Sequence, residues 1–129
     1  MFPIRIGARV SLQDGTIVHV TTGMFATTVG DDVTVGHRAV LHGCTIEDGA
    51  LIGMGAVVMD QAVIGAGSMV AAGALVSPGT VIPPGMVAMG SPAKAVRPVR
   101  DKERMFMTYS AGHYVDLSLI HISEPTRPY

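Results

Sequence analysis

Residues 46–82 read IEDGALIGMGAVVMDQAVIGAGSMVAAGALVSPGTVI, and an aliphatic residue returns at every sixth position of this stretch. The aliphatic positions are Ile46, Ile52, Val58, Ile64, Val70, Val76 and Ile82. A small residue or threonine follows the first six of them by four positions, at Ala50, Ala56, Ala62, Ser68, Ala74 and Thr80. A period of six fits neither an α-helix nor a flat strand, and it is typical of a repeat architecture.

Hexapeptide repeats predict an all-β fold, a parallel β-helix in which each hexapeptide forms one side of a triangular coil. We expect the aliphatic residue to fill the interior of the prism and the small residue to lie beside it near the corner. Gly53 and Gly65 directly follow two of the aliphatic residues. There we expect the backbone to need the conformational freedom of glycine in order to turn.

The same period is present upstream in a different phase. Its members are Ile6, Leu12 and Val18, then Val29, Val35 and Leu41. The two junctions, Val18 to Val29 and Leu41 to Ile46, are each one position short of a multiple of six. Residues 21–28 therefore predict an irregular or protruding stretch. Irregularities in a repeat often mark the functional face, and histidines cluster around this one.

Composition is that of one compact domain of 129 residues, 48% of them hydrophobic. The net charge of −1 argues against nucleic acid or an anionic membrane as the main partner. A single cysteine excludes an internal disulfide, and no run approaches the roughly 20 apolar residues of a membrane helix. The first residues lack the charged and apolar regions of a signal peptide, so a cytoplasmic location is the expectation.

The sequence predicts three segments. Residues 1–92 would form the β-helix, and residues 93–116 would form an exit segment and an α-helix that begins near Asp101 and caps the solenoid. Met105, Tyr109 and Gly112 or His113 would share the face of that helix that packs along the prism. Residues 117–129 resemble the translation of an adapter used in sequencing libraries, and we expect them to be an artefact that contributes nothing to function.

Three of the five histidines, His19, His37 and His42, lie close together in the sequence, in a window that spans both phase junctions. Such a cluster predicts a metal site. An interval of three hexapeptides, the length of one complete coil, separates His19 from His37. Neither His37 nor His42 occupies an inward position, and the two fall on successive sides of one coil. One chain would hardly bring all three imidazoles together, so a neighbouring subunit of a cyclic oligomer would supply the missing ligand.

Three neutral imidazoles leave a tetrahedral metal with one open position for water. The metal lowers the pKa of that water to about 7, which provides hydroxide for attack on a small electrophile such as carbon dioxide or an ester carbonyl. Cys44 is close in sequence, but a fourth ligand would close the site. We therefore expect Cys44 to be a small buried hydrophobic residue.

Several segments together resemble the γ-class carbonic anhydrase family. They are Pro3-Ile4-Arg5-Ile6-Gly7, Leu12-Gln13-Asp14-Gly15, Ile17-Val18-His19-Val20, Val35-Gly36-His37-Arg38-Ala39-Val40-Leu41-His42-Gly43-Cys44, Ile52-Gly53-Met54-Gly55-Ala56 and Gly90-Ser91-Pro92-Ala93. The resemblance covers about residues 3 to 116. The pattern around His37 and His42 is specific, whereas hexapeptides alone are shared with many acyltransferases.

The resemblance implies a left-handed β-helix that forms a homotrimer with Zn²⁺, or alternatively Fe²⁺ or Co²⁺, between subunits. His19 and His42 would be ligands from one protomer and His37 from the next, and Gln13 and Asp14 would position the metal-bound solvent and the carbon dioxide substrate. Asp14 has a second interpretation, because Asp-Gly is also a good turn sequence. Family members usually begin one to two coils earlier, with an arginine in that part, so we expect this chain to be truncated.

Reversible hydration of carbon dioxide to bicarbonate is therefore the leading functional prediction. A hexapeptide acyltransferase or a metal-assisted thioesterase is a second hypothesis, although acyltransferases need one histidine base and an acyl-CoA groove rather than three ligands. A non-catalytic, metal-stabilised trimer that serves as an assembly subunit is the third.

Overall fold

The computed structural model describes residues 4–20 and 25–120, with side chains through residue 110. Short strands alternate among three sheets, so that strands consecutive in sequence lie in different sheets, apart from the last two strands, which are neighbours in one sheet. Each strand except the last pairs with one three places along the chain. The first sheet contains β1 (Ile4–Ile6), β4 (Thr27–Val29), β7 (Thr45–Ile46), β10 (Val63–Ile64) and β13 (Val81–Ile82). The second contains β2 (Ser11–Leu12), β5 (Thr34–Val35), β8 (Leu51–Ile52), β11 (Met69–Val70), β14 (Met86–Gly90) and β15 (Ala93–Pro98). The third contains β3 (Ile17–His19), β6 (Val40–His42), β9 (Val57–Val58) and β12 (Leu75–Val76).

This arrangement is the predicted left-handed parallel β-helix, a prism with one sheet on each of its three sides. All pairings are parallel except that of β14 with β15. Each hexapeptide thus contributes a short strand and the corner that follows it.

The pairing register shows how the coil absorbs its phase changes. In the coils formed by residues 46–82, Ile64 pairs with both Ile46 and Ile82, so one regular turn takes three hexapeptides. Val29 pairs with Ile46, a turn that is one residue shorter than the regular one. Ile6 pairs with Val29, and this first turn is five residues longer than the regular one. Of the predicted irregular stretch, residues 21–24 lie outside the described residues.

The hexapeptide aliphatic residues form the interior, as predicted. Ile46, Ile52, Val58 and Ile64 are fully buried, and the small residues four positions after them are buried beside them. At about 25 cal/mol per Å² of apolar surface, this continuous column is the main source of stability. In the first coil the same slots are more open, since Ile6 and Leu12 are 44% and 39% exposed.

Gly53 and Gly65 are required for a different reason from the predicted one. Neither has a positive φ; the turn positions that do include Gly55 and Gly67. A β-carbon at Gly53 would lie 2.5 Å from the backbone nitrogen of Ala72 in the next coil. These glycines are therefore demanded by close contact between successive coils, not by freedom to turn.

The coil ends in a hairpin followed by a helix. β15, which begins the predicted exit segment, runs antiparallel to β14. The helix α1 (Asp101–Ile120) begins at the predicted residue and lies along the second sheet, where Met107 packs with Leu51 and Val87.

The predicted packing face of the helix was wrong. Met105 and Tyr109 are 72% and 55% exposed, whereas Met107 and Ser110 are buried.

Among the described residues no helix is long and apolar enough to cross a membrane. The helix continues through Ile120, four residues past the predicted boundary at 116, and the remainder of the predicted artefact, residues 121–129, lies outside the described residues.

Candidate metal centre

Two of the three predicted ligands lie side by side on the third sheet. His19 ends β3 and His42 ends β6, and the two residues are direct partners in the parallel register. Their rings are stacked, with centroids 5.0 Å apart and planes inclined by 8°. Because side chains alternate along a strand and Val18 and Leu41 lie toward the interior, both imidazoles are on the outer surface of the prism.

His37 lies elsewhere. It is exposed in the turn between β5 and β6, at the corner between the second and third sheets. The interval of three hexapeptides between His19 and His37 does not stack the two, because the turn of the coil that carries His19 is longer than a regular one and pairs it with His42. Over residues 4–20 and 25–110 no three metal-binding side chains of His, Cys, Asp or Glu come together within the chain. One chain thus presents a pair of imidazoles and a separate third.

An acidic side chain holds the ring of His42. Oδ1 of Asp60 lies 2.7 Å from Nδ1 of His42, and the side chains of Asp60 and His42 are 27% and 32% exposed respectively. Asp60 is not among the residues predicted from the sequence. The available signal was its position three hexapeptides after His42, which is one regular turn of the coil.

Thr27 joins the backbones of the two histidine strands. It is fully buried, and its hydroxyl accepts a hydrogen bond from the amide of Gly43 at 2.7 Å and donates one to the carbonyl of His19. The Gly43 amide also approaches that carbonyl at 3.1 Å. The ends of β3 and β6 are therefore fixed where the imidazoles begin.

Gln13 and Asp14 lie at the same corner as His37, one coil earlier. The amide of Arg38, the neighbour of His37, donates to the carbonyl of Asp14 at 3.0 Å. Gln13 is buried, with 9% of its surface exposed, and Asp14 is exposed. Gly15 has a φ of 76°, so the Asp-Gly pair does form a tight turn. The structure therefore groups Gln13 and Asp14 with His37 rather than with the imidazole pair.

The outer surface of the third sheet is apolar beside the histidines. Ile17, Val40, Val57 and Leu75 are aligned in one ladder across the sheet. Ile17 is 53% exposed and the other three are half-buried. The second sheet is covered by α1, whereas all four side chains of this apolar ladder keep surface exposed to solvent. Such a surface is typical of a protein contact.

Cys44 is not part of the site. It lies in the interior with 1% of its surface exposed, and burial raises the pKa of its thiol to about 12. A thiol must lose its proton to bind a metal well. Cys44 is therefore the buried small residue that its position predicted.

Comparisons with known proteins agree with the hexapeptide-repeat fold. The bacterial transferase hexapeptide family (six repeats) matches residues 26–58 and 43–78. Gamma carbonic anhydrase 3 of Arabidopsis thaliana mitochondria is 53% identical over 94% of this chain and 49% of its own length. A protein of Methanocaldococcus jannaschii named "Probable carbonic anhydrase" is 47% identical over 89% of this chain and 72% of its own length. A solved hexapeptide transferase family protein from Anaplasma phagocytophilum superposes with a TM-score of 0.85, at 39% identity, over 92% of this chain and 69% of that one.

The chain spans about half the length of the three Arabidopsis relatives, 47% to 49%. Their names refer to carbonic anhydrase, whereas the name of the superposed structure refers to a transferase. The solved structure shares the β-helix of this chain.

Proposed function

We propose that this chain, which belongs to the γ-class carbonic anhydrase family of hexapeptide-repeat proteins, binds a divalent metal between subunits and catalyses the reversible hydration of carbon dioxide. The observation that carries the proposal is the stacked pair of His19 and His42 on a partly exposed apolar sheet. Within the described residues no third side chain joins the pair in a group that could hold a metal ion. The partly exposed apolar ladder next to it suits a contact with a second copy of the chain.

The donor set fits a metal such as Zn²⁺, and Fe²⁺ or Co²⁺ are bound by similar groups. Imidazole nitrogen is a common ligand for these ions, and the carboxylate of Asp60 on His42 is the usual partner of a metal-binding histidine. His19 and His42 would be contributed by one subunit and His37 by its neighbour. The ion would supply the Lewis acidity that makes a hydroxide nucleophile available near neutral pH.

The protein residues would bind and orient the reactants. Gln13 and Asp14 share a corner with His37, so we expect them to enter the site from the same subunit as His37. The nearly buried amide of Gln13 and the exposed carboxylate of Asp14 would together orient the carbon dioxide and the solvent nucleophile. The apolar ladder, including Ile17 and Val40, would be buried between the subunits of a homotrimer and would exclude water from the rim of the site.

Subunit complementation tests the shared site. His37→Ala and His42→Ala should each lose nearly all bound zinc and carbon dioxide hydration activity. If the two variants are refolded together in equal amounts, a site is intact when the His37→Ala chain supplies His19 and His42 and the His42→Ala chain supplies His37. Random assembly predicts recovery of about one quarter of the sites.

Zinc content by elemental analysis and hydration activity should recover together in the mixture. The control is Arg38→Ala, which alters the exposed neighbour of His37 and should retain zinc. A mixture that recovers neither zinc nor activity would contradict sharing between subunits. A wild-type protein that binds zinc as a monomer in light scattering would contradict it independently.

A second candidate function, acyl transfer, is supported by similarity to a solved Bacillus cereus protein named a putative acetyltransferase, with a TM-score of 0.86 and 43% identity over 89% of this chain and 66% of that one. It would use one histidine as a general base and would not require zinc. Release of coenzyme A from acetyl-CoA that persists in a zinc-free preparation would favour it. Zinc binding and trimer formation without turnover of carbon dioxide, acetyl-CoA or thioesters would instead identify a metal-stabilised assembly subunit.

A further inference from the structure

The carboxylate of Asp60 occupies a recurring position at the corners of the prism. Asp31 and Asp48 also lie at corners. Oδ1 of each occupies the space that a β-carbon would need at a glycine of the preceding coil, which is Gly7 for Asp31 and Gly30 for Asp48. In those two cases Oδ1 accepts a backbone amide at 2.7 Å, from Ala8 and from Asp31. The corner aspartates thus share one arrangement that ties successive coils together.

At Asp60 the same arrangement binds an imidazole. Oδ1 of Asp60 lies beside Gly43, where a β-carbon added to the glycine would be only 2.5 Å from this oxygen. The same oxygen contacts Nδ1 of His42 at 2.7 Å. The absence of a side chain at Gly43, whose φ is 61°, creates the space for the contact. Gly43 directly follows His42, so one glycine both terminates the strand and admits the carboxylate.

The chemistry of this contact determines the state of the ring. An ionised carboxylate only accepts hydrogen bonds, so Nδ1 of a neutral His42 must carry the proton and Nε2 must carry the lone pair. The contact also restrains rotation of the ring, which remains stacked on His19. A metal-binding imidazole requires both properties, a lone pair on the nitrogen that faces the ion and a fixed orientation.

We propose that Asp60 is a positioning residue that sets the tautomer and orientation of His42 before a metal binds. The proposal rests on the proposed function for its consequence, zinc affinity, but its structural part holds in the metal-free protein. Loss of the equivalent partner of a metal-binding histidine typically lowers affinity by roughly 10- to 100-fold.

The first measurement uses the metal-free chain labelled with ¹⁵N-histidine, at about pH 8, where an ordinary imidazole is neutral. Long-range ¹H–¹⁵N spectra should show His42 with a protonated Nδ1 and an unprotonated Nε2. In Asp60→Ala the ring should become a mixture of tautomers. A wild-type His42 with the proton on Nε2, or an Asp60→Ala variant that keeps the wild-type tautomer, would overturn the proposal.

The second measurement is zinc affinity by competition with a chromophoric chelator. We expect Asp60→Ala to lose about 10- to 100-fold. Asp60→Asn, which preserves size and an acceptor oxygen and guards against misfolding, should lose less. Asp48→Asn is the matched control, because it alters the same corner arrangement where no imidazole is bound, and it should bind zinc as the wild type does.

The results distinguish a failure of the positioning role of Asp60 from a failure of the proposed metal-dependent function. A tautomer change in Asp60→Ala without a loss of zinc affinity, or a loss without a tautomer change, would overturn the positioning role. A wild-type chain that binds no zinc would refute the proposed function. In that case the metal-free spectra would still decide whether Asp60 sets the tautomer of His42.

Discussion

At the scale of single residues, the environment of Cys44 makes stability depend on pH in the alkaline range. Burial raises the pKa of the thiol from 9.0 to about 12 in the folded chain. Between these values the unfolded chain releases the thiol proton and the folded chain does not. We therefore expect the free energy of unfolding to fall as the pH rises above about 9, with a slope approaching about 1.4 kcal/mol per pH unit.

Urea denaturation of the wild type and of Cys44→Ala, at several values from about pH 8 to about pH 10.5, measures this effect. Other groups also titrate in this range, so the informative quantity is the difference between the two proteins. The wild type should lose its advantage progressively above about pH 9. A difference that stays constant with pH, or rapid modification of Cys44 by a thiol reagent in the folded protein, would contradict the burial.

At the scale of the secondary structure element, the helix start depends on Glu103. Its Oε1 accepts the amide of Arg100 at 2.9 Å, the reciprocal half of a capping box, and both carboxylate oxygens accept hydrogen bonds from Arg97 at 2.7 Å. The Arg97 contact, followed by the Arg100 amide, lowers the pKa of Glu103 from 4.5 to about 2. The resulting stabilisation should be complete above about pH 4.5 and should disappear as the pH falls toward 2.

Glu103→Gln should accordingly melt a few degrees below the wild type at neutral pH and at the same temperature near pH 2. Circular dichroism during heating at both pH values provides the comparison. Arg97→Gln should remove most of the difference, and a double-mutant cycle isolates the pair. Equal destabilisation by Glu103→Gln at both pH values would show that the carboxylate charge is not responsible.

The sequence predicts some features of the coil and of the helix but not others. A period of six determines the coil, because the same inward slot recurs in every hexapeptide. The break in that period between Val18 and Val29 locates the extra residues of the first turn. The interval of three hexapeptides from His19 to His37 crosses this break, so it does not correspond to one turn, and the register pairs His19 with His42 instead. For the helix, spacing grouped Met105 with Tyr109 correctly on one face, but the hairpin and the Glu103 pair set the rotation that exposes that face.

At the scale of the whole molecule, the prism is a stack in which each coil contacts only its neighbours. Stability in such a solenoid is approximately a sum of coil and interface contributions, so the same substitution should cost less at an open end than in the middle. Ile6 and Ile46 test this directly, because both occupy the inward slot of the first sheet and lie in one column. Ile6 is 44% exposed and Ile46 is fully buried.

Ile46→Ala should cost about 2–5 kcal/mol in the free energy of unfolding, since it leaves a cavity between coils on both sides. Ile6→Ala should cost about 1 kcal/mol or less, because much of this side chain already contacts water and neighbouring groups can close over the space. Urea denaturation of both variants gives the two values, and hydrogen exchange should show the amides of β1 opening before those of β7. Equal costs for the two substitutions would mean that the coils unfold as one unit whose first turn is held as firmly as its centre.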